Sequence, residues 1–137
     1  MFDLLRVLFC PSADNQGLKE LPREPGIYYY VDWFKVLYIG QSTSLYHRWN
    51  HKGDWKHKHR DSFIKSRSAR LHYRKVKSYR LVLIESLEIQ RFDPPLNIQK
   101  PDPAKYRRKL DGLIEDAFWI AGIAAVGLVL IVALKNR

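Results

Sequence analysis

Apolar and polar positions repeat along this chain with two periods, and the changes between them mark its elements. Gly26–Val31 and Val36–Gly40 are dense in tyrosine, valine and isoleucine and predict two strands about a turn at Asp32–Lys35. Arg70–Val76 sets Leu71, Tyr73 and Lys75 against His72, Arg74 and Val76, a two-residue alternation that predicts a third strand. Between them, Ser42 or Ser44 supplies a hydroxyl N-cap for a helix running to about Lys52. Ser78 is placed to cap a second helix through Phe92, which Pro94 and Pro95 stop. Gly53–Ser68 is polar and basic and reads as a loop with room for one short helix. The opening MFDLLRVLFC is apolar and carries Arg6, so it lacks the order of a signal peptide and reads as a first strand or helix. Together these elements make an α+β domain over residues 1–97.

The far end has no polar face. Ala117–Leu134 is an uncharged apolar run of eighteen residues. As a helix rising about 1.5 Å per residue it spans about 27 Å, against roughly 30 Å for the hydrocarbon core of a bilayer. A buried core helix is the alternative, but a small domain has no way to cover a helix that is apolar all round. Trp119 near one edge and Lys135 and Arg137 at the other suit interfacial anchors. Lys100, Lys105, Arg107, Arg108 and Lys109 precede the run, so the positive-inside rule predicts a cytoplasmic N-terminal domain. The expectation is a single-pass, tail-anchored membrane protein, with residues 98–116 as a basic linker and 135–137 as a short tail.

Charge narrows the partners. The chain has a formal charge of +10, and the window His47–Arg80 accounts for all of it, with twelve Lys/Arg against Asp54 and Asp61. Such a window seeks a polyanion, either nucleic acid or an anionic membrane surface. A single cysteine, Cys10, excludes an intrachain disulfide. All five histidines also lie in the basic window. His57 and His59 suggest a metal pair, but without cysteines or further spaced ligands a solvated basic loop is the plainer reading.

Several positions carry candidate chemistry. Tyr28 and Tyr38 share a face of the hairpin only if its loop is odd in length or a bulge intervenes, with Leu37 and Ile39 then packing the other face. Tyrosines are also ordinary strand residues. Arg48, beside Trp49 on the capped helix, can lean toward the hairpin and fork to a phosphate, with His51 on the same side. It can equally be part of a solvated face. On the second helix Glu85 falls within the arc of Leu81, Val82, Ile89 and Phe92, where a carboxylate must be paired, protonated or metal-bound. Glu88 lies at the edge of the same arc, and either glutamate can pair with an arginine of the basic window.

In order along the chain, GIYYYVDWFKVLYIG, LYHRW and IESLEIQRFDPPLN resemble the successive motifs of the GIY-YIG nuclease superfamily, over roughly Leu21–Asn97. The resemblance implies a small three-stranded antiparallel sheet flanked by helices. It also implies an endonuclease that hydrolyses DNA phosphodiester bonds with one divalent cation, Mg²⁺ or Mn²⁺. Position by position, Tyr28 and Tyr38 match the two motif tyrosines, Arg48 the helix arginine, Glu85 the metal-binding glutamate and Asn97 the closing asparagine. The family often has a histidine, lysine or tyrosine one helical turn after the arginine; Lys52 occupies that offset and His51 lies one residue short. The implied roles are water handling by Tyr28, its phenol acidified by nearby cations, with Tyr38 on the water or phosphate. Arg48 then neutralises the non-bridging oxygens. Lys52, Lys56, Lys58, Arg60 and Arg74, with Arg48, are the expected contacts to the nucleic-acid backbone. Two other readings are a catalytically silent DNA-binding adaptor and a domain whose basic window meets anionic lipid. With no separate targeting domain in view, specificity is either low or supplied by a protein partner.

Overall fold

The computed structural model describes residues 2–108 and 111 of the 137. The apolar run 117–134 lies outside the described residues, and among those described no helix is long and apolar enough to cross a membrane. The chain divides into two compact units, Met1–Pro103 and Ala104–Arg137. In the second, residues 104–108 are helical. The first contains everything that follows.

The sheet is four-stranded and antiparallel, not three-stranded, with order β1-β4-β2-β3. The strands are β1 (Ser12–Ala13), β2 (Gly26–Asp32), β3 (Lys35–Ser42) and β4 (Arg70–Lys75). The extra strand escaped the sequence pattern because it is two residues long, pairing Ser12 with His72 and Ala13 with Leu71. No periodicity can register in two residues. The opening segment is the helix α1 (Phe2–Leu8).

The β2–β3 hairpin decides where the tyrosines point. Asp32 pairs with Lys35 and Val31 with Val36 across a two-residue turn. Were that register kept, Tyr38 would oppose Tyr29 and point away from Tyr28. Instead the register shifts between Tyr30 and Val31, so that Tyr30 opposes Tyr38 and Tyr28 opposes Gly40. Leu37 is the residue that the bulge absorbs. Tyr28, Tyr30 and Tyr38 therefore share one face. Leu37 packs with that tyrosine cluster, contrary to the expectation that it joins Ile39 on the other face.

Helices cover both faces. On the tyrosine face, α2 (Leu45–Asn50) buries Leu45 and Trp49, and α3 (Arg60–Lys65) buries Phe63. On the opposite face, Val7 of α1 and Leu81 and Ile89 of α4 (Leu81–Phe92) pack on Ile27, Tyr29, Val31, Val36 and Ile39. Ser44 is the N-cap of α2, its Oγ accepting from His47 N at 3.4 Å. The helix ends at Asn50, short of Lys52, because His51 is extended. Ser78 opens a 3₁₀ turn (Ser78–Arg80), and α4 begins after it without a side-chain cap. Left-handed Asp93 (φ 46°) terminates α4 just before the two prolines.

Candidate active site

Tyr28 is 1% exposed, and its ring meets the indole of Trp49 edge-on at 5.5 Å. The phenol head lies over Gly40 on the next strand, where only a residue without a side chain leaves room. Two nitrogens reach its oxygen: Nε2 of His57 at 2.9 Å and Nε of Arg48, a donor, at 3.4 Å. Tyr38 is 9% exposed, with its ring 6.2 Å from that of Tyr28 and 4.6 Å from that of His59. Lys58 Nζ sits 5.1 Å from the Tyr38 ring centroid.

Glu85 joins this group from the other side. Its helix packs on the opposite face of the sheet, but β3 is an edge strand. It lies near Gln41 on that edge, whose side chain and backbone amide favour the charged carboxylate. From there its charge acts on Arg48 and on both phenols. The structure thus brings Tyr28, Tyr38, Arg48 and Glu85 together around one edge of the sheet.

Glu88, one turn on, has a different task. Its side chain is 4% exposed and accepts from Arg6 Nη2 at 2.7 Å and from Tyr29 Oη at 2.8 Å. Arg74 and Arg91 stand 3.7 Å away. It ties α1, the sheet and α4 into one buried ionic knot. Glu85 is half-buried, and among the described residues no lysine or arginine pairs with it. Burial raises its carboxyl above the ordinary range, although Gln41 and Arg48 oppose the rise. A carboxylate desolvated in this way, without a cation of its own, fits a divalent ion that takes one protein ligand and completes its shell with water and phosphate. Among the described residues no three His, Cys, Asp or Glu gather as a metal-ligand cluster, at Glu85 or elsewhere.

The phenols are not acidified by their neighbours as expected. Burial pushes Tyr28 well up, Tyr38 and Glu85 add to the rise, and Arg48 only partly opposes it. Tyr38 moves the same way, again chiefly through burial.

Asn97 is buried and works on the backbone. Its Oδ1 accepts from Ile39 N and its Nδ2 donates to Ile39 O, both at 2.8 Å. Leu96 N donates to Leu37 O at 3.0 Å. These bonds pin the open edge of β3 at the bulge and hold Tyr38 in register.

The basic candidates separate. Arg60 Nε donates to Trp49 O at 2.8 Å, Lys56 pairs with Asp61 at 2.6 Å, and Arg74 faces Glu88. Arg74 also lines a cavity with Lys75, Lys77, Tyr79 and Arg80. Lys52 is exposed, and of these candidates Lys58 and Arg48 are the ones that lie against Tyr38 and Tyr28. His51 is exposed too, with its ring 5.9 Å from that of His47.

The histidine that reaches Tyr28 is His57, which sequence reasoning placed in a solvated loop. It is 0% exposed and stacks on Trp49, the rings 4.3 Å apart and 14° from parallel. One signal was present: Lys56-His57-Lys58-His59 alternates, as an extended segment does when one side faces inward.

No family model matches the chain, and neither does any curated protein sequence. Among solved structures it is similar to the N-terminal GIY-YIG endonuclease domain of UvrC from Thermotoga maritima. The magnesium-bound form is 18% identical with a TM-score of 0.46, over 61% of this chain and 93% of that one. A tyrosine-to-phenylalanine point mutant bound to its catalytic divalent cation gives 17% and 0.47 over the same shares. The likeness is one of overall shape; the chemistry of this chain rests on its own side chains. Its fold is α+β, a four-stranded antiparallel sheet between helices.

Proposed function

We propose that this chain is a divalent-metal-dependent endonuclease acting on DNA, tethered to a membrane by residues 117–134 with its N-terminal domain in the cytoplasm. The observation that carries the nuclease reading is the convergence of Tyr28, Tyr38, Arg48 and Glu85, which a single bulge at Leu37 makes possible. Glu85 would hold Mg²⁺ or Mn²⁺. When bound, the ion stabilises charge on the leaving 3′ oxygen. Arg48 turns Nε to Tyr28, which leaves the rest of its fork to neutralise the non-bridging oxygens of the phosphate. Tyr28 keeps its proton on Oη at neutral pH and orients the attacking water, while Tyr38 holds the water or the phosphate. Lys58, Lys52 and the cations about Arg80 supply sequence-blind attraction to the backbone. The tether rests on the sequence alone: eighteen apolar residues preceded by a basic linker.

The test uses the full-length chain in mild detergent. Plasmid nicking that needs Mg²⁺ or Mn²⁺, and is lost in Arg48→Ala and in Glu85→Ala, is the expected result. No nicking, or nicking unchanged in both variants, overturns the nuclease. Cell fractionation tests the tether: the full chain should sediment with membranes, and removal of 117–134 should release it.

A further inference from the structure

His57 is buried deeply enough that its hydrogen bonds define its chemical state. Its Nδ1 accepts from the backbone N–H of His59 at 3.1 Å. An amide N–H only donates, so Nδ1 carries no proton and the neutral ring must carry its hydrogen on Nε2. That hydrogen points at Tyr28 Oη, 2.9 Å away. Arg48 Nε, also a donor only, points at the same oxygen. A phenol oxygen has two acceptor positions and one proton of its own. Both donors therefore occupy the accepting side of the phenol oxygen.

We propose that His57 is a positioning residue for Tyr28: a neutral N–H donor that, with Arg48, occupies the phenol oxygen from two sides and leaves Tyr28 its own proton to direct to Tyr38 beside it, or to water or phosphate. The role rests on the endonuclease reading and deepens it. The same two donors hold the oxygen if it becomes a phenolate, as hydrogen bonds to an ionised partner strengthen. His57 itself never takes that proton, because Nε2 already has one and Nδ1 is filled. Its surroundings keep it neutral: Arg48 from α2, Lys58 and His59 beside it, the rings of Tyr28, Tyr38 and Trp49 around it, and its complete burial. Stacking on Trp49 fixes the plane of the ring and so the direction of the N–H.

Two measurements on the full-length chain in mild detergent test this. The first needs no activity. ¹⁵N NMR of the imidazoles should find His57 as the neutral Nε2–H tautomer, still neutral at pH 5, with its Nε2 resonance shifted by Tyr28→Phe. The Nδ1–H tautomer, or ordinary protonation near pH 6.5, overturns the proposal. The second is nicking. His57→Leu should lower kcat about twofold to tenfold, the worth of one hydrogen bond to a neutral phenol, with KM for DNA within about twofold. His57→Gln, whose amide nitrogen can take the place of Nε2, should recover most of the loss. In a Tyr28→Phe background His57→Leu should cost nothing further. Equal losses in Gln and Leu, or a loss that adds to that of Tyr28→Phe, assign His57 to packing and overturn the role. A chain with the expected tautomer but no nicking overturns the endonuclease reading and reduces His57 to a structural partner of Tyr28.

Discussion

Tyr28 and Gly40 face each other across the β2–β3 hairpin, and a β-carbon on Gly40 would overlap the Tyr28 hydroxyl. The first glycine-flanked tripeptide and the second are thus two halves of one contact. Tyr28 has nowhere to retreat, being walled by Trp49 and His57. Gly40→Ala should therefore displace the phenol. The expected outcome is a loss of nicking of about a hundredfold or more. The cost in stability should be only about 1–3 kcal/mol, as for an overpacked core. Urea unfolding and plasmid nicking on the same preparation check both, and a fully active Gly40→Ala would mean that Tyr28 is not where the reaction needs it.

Much of this arrangement was legible in the sequence. The hairpin, the strand at Arg70, the helix carrying Glu85 and the need for a bulge or an odd loop all follow from period and turn chemistry. Where the bulge sits does not follow, because Val36, Leu37 and Ile39 are interchangeable apolar residues to any pattern. Asn97 decides the matter from 58 residues away by bonding both groups of the Ile39 peptide. Glu85 and Glu88 share an arc of one helix; what separates them is Arg6, on α1, far off in the chain. His57 left only a faint mark, the alternation of Lys56-His57-Lys58-His59, for a related reason: a histidine among lysines reads as solvated unless one knows that Trp49 and Tyr28 wait above it.

The two glutamates should respond oppositely to removal. Glu88→Ala leaves the buried Tyr29 hydroxyl and the partly exposed Arg6 and Arg74 without their shared acceptor, at a cost of about 1–3 kcal/mol. Glu85→Ala removes a desolvated carboxylate and should leave stability within about 1 kcal/mol of wild type while abolishing nicking. Denaturant midpoints beside activity distinguish them. An inactive but stable Glu88→Ala, with an active Glu85→Ala, would reverse the assignment of the metal carboxylate.

The hairpin tip offers a stabilising change. Trp33 and Phe34 have φ of 47° and 58° and are 80% and 73% exposed. This two-residue turn normally takes asparagine and glycine, and each bulky residue there costs about 1 kcal/mol or more. Trp33→Asn with Phe34→Gly should raise Tm by about 4–8 °C per kcal/mol recovered, with nicking unchanged. A fall in Tm on calorimetry would show that what the two rings contribute to the cavity they line with Leu8 and Val31 outweighs the strain.

Acid should destabilise the domain through His57. Burial first, then Arg48, His59 and Lys58, push its folded-state pKa down to about 3 from 6.5. Between those values the unfolded chain binds a proton that the folded chain refuses. Stability therefore rises with pH across this window and is fully present above about pH 7. The contribution of this one residue falls, on acidification, by at most about 1.4 kcal/mol per pH unit. His57→Gln cannot titrate and should lose that slope, whatever the carboxylates contribute to both proteins. Urea midpoints at pH 4.5, 5.5, 6.5 and 7.5 for the two chains give the difference directly. Parallel curves would mean that His57 is protonated in the fold, and the stacked, neutral ring against Trp49 would have to be given up.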